Sequence, residues 1–579
     1  MKELIVTDYN NYTNSKHSVL YINKYSKNSK DFSLLGFIDK NSLSIKKQLK
    51  EDIRKISNKI FKDKVIEKHR GFNFLYNFFL YDRSIYKYPS INEYIKIIGI
   101  RKFFDKKKEK FSIRLKILNK KNLICIEKIL QDKNIRFENI ETKKKILSFD
   151  FNFVLHYFRI FKFISKRIFL KSPSEKVLDC KNFIVSYLAY VDKRELNNDS
   201  VKTVYWGDIF KDNKKNFFLY IYNENIQNNI DKVNKIQKLK NSNFLILDSI
   251  LTLKDFFIII FMWFKLTTSF SKKKKQLIKC FNQLNHSYKL FHKDIENSLF
   301  GFDCFINVYY FYLFHKLSEK KITSTKIFYL AENQGWEKSL NYFLKKKSKK
   351  IFAVISTPVR YWDTRYIDQD NFLSTKEKKK YLPDFYLVNG NLSKTNLKIN
   401  CFKDSKIMQV EALRYDFIKQ SKSKLKNKKN FLITGDYNLK VNEQLESLVI
   451  RLSKIFKKET FFIKEHPNLK FGNKLKKIKN CRFVYDKSIS ELSNFCGKAI
   501  VPSMTSAGVD AVMNNLKTVV VQIDGQINFS PLKGVNGILH EKDDKMIINY
   551  FRNKIVKKIK KNYFLNLDLN KKLWKKIIR

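Results

Sequence analysis

Three short stretches of this 579-residue chain hold the residue types that a phosphate-handling site needs. Lys464-Glu465-His466-Pro467 sets one of only eight histidines directly before a proline that fixes the turn. Such a histidine donates to a phosphate oxygen and, when protonated, stabilises a leaving group. The plainer alternative is a loop histidine with a structural hydrogen bond. Lys498 to Leu516, KAIVPSMTSAGVDAVMNNL, reads as a buried strand, a turn carrying Ser503, Thr505 and Ser506, and then a helix. Free N–H groups at a helix start, beside several hydroxyls, suit a phosphate. Ser and Thr are equally ordinary helix caps. Gly435 and Asp436 close a third apolar run, Phe431 to Thr434.

A second set lies upstream. Glu332, Gln334 and Trp336 follow the run KIFYLA (326–331), Asp363 and Arg365 stand in RYWDTRY, and Arg414 follows IMQV (407–410). Glu332 ends a strand and faces a helix start, where a general base could stand. Asp363 is the competing carboxylate, and each is equally an ion-pair partner for Arg365 or Arg414. The chain has no DxD-type pair placed for a metal nucleotide, no Walker loop, no GxGxxG and no HExxH. The expectation is a metal-free mechanism with no cofactor.

Apolar runs alternating with helical periodicity must position these residues. Strands are predicted at 326–331, 351–356, 384–388 and 407–410, with a helix over 335–344. A second series follows: strands at 431–434, 460–464, 482–485, 499–501 and 518–523, with helices over 441–456 and near 488–495. Such alternation predicts parallel sheets covered by helices, and a Rossmann-like half with at least five strands. In these sheets ligands bind at the carboxyl ends of the strands, where the residues above stand. The expected class is α/β: two Rossmann-like domains facing across a cleft, with a helical N-terminal extension. The expected divisions are an N-terminal region, 1–180, poorly defined as α/β or helical; a first Rossmann-like half, 181–418; a basic link, 419–430; a second half, 431–545; and a basic C-terminal helix, 546–579.

The formal charge is +62, with lysines spread almost everywhere among Asn, Ile and Phe. That pattern resembles the amino-acid usage of an AT-rich genome, so charge alone does not argue for nucleic acid. No zinc-finger spacing, RNP-like motif or basic leucine-zipper pattern is present, and no nucleic-acid partner is expected. Such a surface is drawn to anionic membranes and anionic substrates. Seven scattered cysteines with no CxxC pair predict reduced thiols in the cytoplasm. FFIIIFMWF (256–264) is too short to span a bilayer and reads as a core helix or a membrane-dipping segment. FNFVLHYFRIFKFISKRIFL (151–170) reads as a core helix with a wet side or an interfacial amphipathic helix. The basic tail, 545–579, either packs back across the first half or lies on a membrane.

Several segments together resemble the bacterial surface carbohydrate biosynthesis proteins of lipopolysaccharide and capsule loci. They are YLAENQGWEKSL (329–340), STPVRYWDTRY (356–366), LPDFYLVNG (382–390), VEALRY (410–415), LITGDYN (432–438), IKEHPN (463–468) and TSAGVDAVMNN (505–515), with SYLAYVD and VYWGD nearer the middle. The His-Pro pair and the later Ser/Thr turn are similar to the HP and Ser-Ser/Thr motifs of bacterial sialyltransferases, and the design is comparable to that of Kdo transferases. The resemblance implies a GT-B glycosyltransferase that inverts its sugar, needs no metal and takes a CMP-activated nonulosonic or Kdo-type donor. It implies a donor site at Gly435, Asp436, Lys464, His466, Pro467, Ser503, Thr505 and Ser506. On that likeness Glu332, or else Asp363, is the base, with Gln334, Trp336, Arg365 and Arg414 on the acceptor side. The acidic motif of the polysialyltransferases has only a distant counterpart in ENQG. The implied partners are a nucleotide sugar, a lipid-linked or oligosaccharide acceptor and the inner face of the cytoplasmic membrane. A CDP-glycerol-type polyol phosphotransferase and a non-catalytic scaffold are the alternatives.

Overall fold

Apolar runs such as Phe183 to Val185 and Val519 to Val521 are buried on both faces, which a parallel sheet under helices allows. The computed structural model describes residues 2–579 except 27–29, 65–67, 108–110, 141–151, 171–177, 189–200, 202, 204, 211–214, 224–229, 239–241, 283–286, 321, 368–374, 416–428, 468 and 554–562. It contains three large sheets, each built only of parallel pairs.

The C-terminal sheet runs Cys481–Phe483, Phe461–Lys464, Asn430–Thr434, Cys496–Pro502, Lys517–Val521, Leu539–Glu541. Numbered along the chain, that order is 3-2-1-4-5-6, the doubly wound Rossmann arrangement. The middle sheet runs Phe244–Ile246, Asn216–Tyr222, Asn182–Leu188, Ile322–Leu330, Ser348–Ile355, Phe385–Val388, Ile407–Gln409, with Leu178–Asp179 pairing beside Ile322–Leu330. Its order has the same reversal. The two Rossmann-like halves face each other across a cleft, a GT-B-like layout. The basic link expected at 419–430 lies outside the described residues except for Lys429 and Asn430, and Asn430 opens a strand.

The N-terminal region holds more than the expected helices. Helices Ser42–Lys62 and Ser90–Lys106 cover a five-stranded parallel sheet in the order Phe32–Ser33, Ser18–Tyr21, Lys2–Thr7, Phe111–Lys116, Phe137–Asn139. FSLLGFI, which could be a strand by composition, is a two-residue strand running into helix Leu34–Lys40, because Ser33 caps that helix through Gly36 N–H. Similarly, Phe244–Ile246 is a strand, and the helix that carries the apolar run 256–264 begins at Leu253 behind a Thr252–Asp255 capping box. Helix Phe302–Glu319 is buried on nearly every side, as an apolar helix between layers must be. It packs on helix Gly335–Leu344 and on helices Asn152–Ile168 and Leu253–Lys272.

The last part of the tail packs back across the first half. Helix Asp544–Arg552 stays on the C-terminal half, against helix Leu439–Ile455 and strand Leu539–Glu541, while residues 563–571, which are not α-helical, and helix Lys572–Ile578 lie on the first. Asn566 N–H donates to the Asn389 carbonyl at 2.6 Å, and Ala412 N–H to the Asn566 carbonyl at 2.8 Å. A Cβ on Gly390 would sit 2.2 Å from the Phe564 carbonyl oxygen, so only glycine lets the tail approach this closely. Trp574 is buried against Phe210 and Phe328. The Glu411 carboxylate accepts the N–H groups of Leu573 and Trp574 at 2.9 and 3.1 Å, and its carbonyl accepts the indole N–H at 2.8 Å. Glu411, a strand-end carboxylate, thus caps the final helix. Trp574→Ala should cost about 3–5 kcal/mol of stability through cavity formation and the orphaned Glu411 carbonyl. Urea unfolding checks this, with Trp574→Phe expected to recover most of the loss.

Candidate active site

In a doubly wound sheet the ligand crevice opens where chain order reverses. In the middle sheet that point lies between Asn182–Leu188 and Ile322–Leu330; in the C-terminal sheet it lies between Asn430–Thr434 and Cys496–Pro502. A cavity of about 550 Å³ is lined by the loops beyond Ile322–Leu330, Asn430–Thr434 and Cys496–Pro502. Glu332, Gln334, Thr357, Arg360 and Arg365 line one side. Gly435, Tyr437, Lys464, His466, Pro467, Thr505, Ser506 and Asp510 line the other, and Asp82, Ser84, Tyr86 and Lys87 reach in from the N-terminal region.

The Glu332 wall is rigid. Asn333 adopts a left-handed φ of 59°, which asparagine tolerates better than most residues. The Glu337 carboxylate caps the following helix by accepting Glu332 N–H at 2.7 Å and Gln334 N–H at 2.9 Å. Burial pushes the Glu337 carboxyl up, while the neighbouring Lys338 opposes the shift. A relay then aims Glu332. The Trp336 indole donates to Tyr187 Oη at 2.6 Å, Tyr187 donates to Gln334 Oε1 at 2.8 Å, and Gln334 Nε2 donates to Glu332 Oε2 at 2.9 Å. Gln334 therefore lines the cavity beside Glu332, and Trp336 acts behind them. Trp336 is fully buried and lies outside the cavity lining.

Opposite stands the His466-Pro467 turn. A Cβ on Gly435 would lie 3.0 Å from His466 N, so glycine lets the two strand-end loops touch. Tyr86, Tyr437 and His466 form an edge-to-face series, with centroids 5.9 Å apart at each step. Burial lowers the His466 pKa, so the ring is neutral at pH 7 and offers one N–H. Five buried polar atoms around the cavity, Asp82 Oδ1, Thr434 Oγ1, Asp436 Oδ2, Thr505 Oγ1 and Asp510 Oδ1, find no hydrogen-bond partner among the described residues. Buried polar atoms are normally paired, so these five are available to a ligand or bound water.

Other predicted residues stand elsewhere. Asp363 is buried and held by Arg365, whose Nε and Nη2 lie 2.8 and 2.9 Å from its two oxygens. Burial alone would raise the Asp363 carboxyl, but the guanidinium holds it below the usual range. A carboxylate so paired is a poor base, and Asp363 does not line the cavity. Asp436 and Ser503 are buried behind the lining. Burial pushes Asp436 up to about 6, and its carboxylate accepts Asn438 N–H at 3.0 Å. Arg414 sits over the Tyr205 ring at 5.4 Å and interacts electrostatically with Asp510. Asp524, at a later strand end, is taken up by Lys542 and by Tyr25 N–H from the N-terminal region.

Sequence reasoning missed Arg360, Asp510, Tyr437 and the 82–87 loop. Arg360 donates to Tyr86 Oη and makes no ion pair within 4 Å among the described residues. Only its place in STPVRYWDTRY, one residue removed from the Trp-Asp pair, hinted at it. A larger cavity, about 1290 Å³, lies between the N-terminal and C-terminal sheets. It holds the ion pairs Arg451–Asp544 and Lys542–Asp524 and is lined by none of the residues at the two switch points, so the smaller cavity is the better candidate.

No protein-family model matches the chain, and no curated protein matches it in sequence. Among solved structures it is similar to the UDP-GlcNAc 2-epimerase of Methanocaldococcus jannaschii in complex with UDP-GlcNAc and UDP, at 11% identity over 69% of this chain and 98% of that one, with a TM-score of 0.39. The UDP-GlcNAc 2-epimerase of Neisseria meningitidis bound to UDP-GlcNAc gives 10%, 69%, 98% and 0.38, and the glycotransferase of kitacinnamycin 8%, 65%, 92% and 0.35. Likenesses this weak say nothing about the substrate of this chain.

Burial pushes the Asp510 carboxyl up to about 7, only partly opposed by Arg414. A raised carboxyl pKa favours the folded state while the group is protonated. The contribution is full below the ordinary Asp range and is lost as pH rises through about 7. Asp510→Asn should therefore raise the melting temperature more at pH 8 than at pH 5. A pH-independent offset in paired thermal melts would contradict this assignment.

Proposed function

We propose that the chain is an inverting, metal-independent glycosyltransferase of bacterial surface polysaccharide assembly that takes a CMP-activated nonulosonic or Kdo-type sugar. The observation that carries this reading is the cavity at the paired switch points, with an aimed carboxylate on one wall and a phosphate-competent set on the other. Lys464, Thr505 and Ser506 hold the nucleotide phosphate. The neutral His466 donates its N–H to a phosphate oxygen and assists departure of the nucleotide. Arg360 supplies positive charge beside them, for the phosphate or for the carboxylate that such donor sugars carry. Glu332 takes the proton of the acceptor hydroxyl as that oxygen attacks the anomeric carbon from the opposite side. One step of this kind inverts the centre. The acceptor is lipid-linked or oligosaccharide, and the work is done at the cytoplasmic face of the membrane.

A thermal-shift panel of CMP, CDP, UDP and GDP tests the donor. At about a hundredfold its Kd a nucleotide stabilises the folded state by about 2.7 kcal/mol, and CMP should give the largest shift. A preference for UDP or GDP overturns the donor assignment. His466→Ala should slow release of CMP from the sugar nucleotide by about 10²-fold or more while CMP still binds. An unchanged rate removes His466 from the mechanism. Analysis of the product separates a glycosidic bond from the phosphodiester that a polyol phosphotransferase would make.

A further inference from the structure

Two neighbouring helices turn aromatic side chains outward. Successive residues of a helix are about 100° apart, which puts Val154, Phe158 and Phe161 on one stripe of helix Asn152–Ile168. Leu253, Phe257, Phe261 and Phe264 share one stripe of helix Leu253–Lys272. Both stripes face solvent: Phe158 and Phe161 are 65% and 71% exposed, and Phe257 and Phe261 are 73% and 69% exposed. The opposite faces, with Ile160 and Phe163 on one helix and Ile259, Trp263 and Leu266 on the other, are buried. Each helix therefore buries one apolar stripe and displays a second. The Tyr157 and Trp263 rings meet edge to face at 5.6 Å, so the helices touch there. An outward apolar surface of this kind on a charged protein marks a contact site.

The rim identifies the partner. Arg159, Lys162, Lys254, Lys265 and Lys272 are exposed alongside the stripes. Helix Asn152–Ile168 contains no Asp or Glu, and the one acid of the other helix, Asp255, is buried in its capping box. A second copy of this face would set lysine against lysine. A layer of apolar chains beneath anionic headgroups complements both the stripe and the rim. No helix among the described residues is long and apolar enough to cross a membrane.

We propose that this face lies on an anionic bilayer, with the phenylalanines in the headgroup boundary and the lysines at phosphate level. The site stands on its own composition, whatever the cleft binds. Helix Phe302–Glu319 packs on both of these helices and on helix Gly335–Leu344, which begins at the Glu332 loop. The bilayer would thus hold the half that carries Glu332.

Vesicle flotation tests it. The intact chain should float with phosphatidylglycerol–phosphatidylethanolamine vesicles and at least tenfold less with pure phosphatidylcholine. Phe158→Ser/Phe257→Ser/Phe261→Ser alters only exposed side chains and should keep the wild-type melting temperature while losing at least tenfold in binding. Lys476→Glu/Lys477→Glu/Lys479→Glu, on the C-terminal half, should bind as wild type does. Phe261→Trp should show blue-shifted emission on these vesicles and quenching by acyl-brominated lipid. Undiminished binding of the serine variant, or an equal loss in the lysine control, would mean that general charge does the work and the proposal fails. It fails also if sedimentation shows a wild-type dimer that the serine variant dissolves.

Discussion

One buried amide joins the three segments that form the Glu332 wall of the cleft. Asn333 Nδ2 lies 2.6 Å from the Tyr81 carbonyl, 3.1 Å from that of Asp82 and 2.6 Å from that of Arg365. Its Oδ1 accepts from Lys338 Nζ at 2.6 Å. The N-terminal region, the Glu332 loop and the 363–366 turn therefore share one anchor. Polar groups buried this deeply stabilise only when satisfied together, and removing one partner leaves the others uncompensated. Glu337 and Lys338, adjacent and both buried, are affordable because each is tied into this network.

The cleft is organised by sheet order more than by any single motif. Two sheets with the same reversal of strand order bring their crevices to one cavity. A Rossmann crevice leaves strand-end loops free of ladder hydrogen bonds, so their polar groups remain available to a ligand. The opposed walls are unlike. One presents a carboxylate fixed by a relay from a buried tryptophan. The other presents a neutral histidine, a lysine and hydroxyls. On the proposed function, that asymmetry separates proton removal from the holding of a departing phosphate.

The N-terminal sheet works as a brace. It touches the C-terminal half through Tyr25 N–H to Asp524, Gly525 N–H to the Asn23 carbonyl, and Lys533 with Asp39. It touches the middle half through Lys46, which donates to Asn400 at 3.0 Å and to the Tyr361 carbonyl. Burial and the nearby Lys50 and Lys533 lower Lys46 to about 7, so this contact weakens its own charge. The N-terminal region thus ties the two halves together, and its 82–87 loop lines one side of the cleft.

Sequence alone determined the α/β class, most strands of the two Rossmann-like halves and the placing of His466, Thr505, Ser506 and Glu332 at strand ends. Periodicity and turn chemistry are local, so they are legible without neighbours. The N-terminal sheet was not, because strands as short as Phe32–Ser33 leave no pattern. Nor was the role of Asp363, since its bidentate pairing with Arg365 depends on how a loop folds. Arg360, Asp510 and the 82–87 loop entered the cleft only through contacts between residues hundreds of positions apart. The two aromatic helices show the limit most clearly. Their sequences announce apolar helices, but periodicity cannot say which of two apolar stripes is buried. That was decided by Phe302–Glu319, which covers one stripe of each helix and leaves the other in the open.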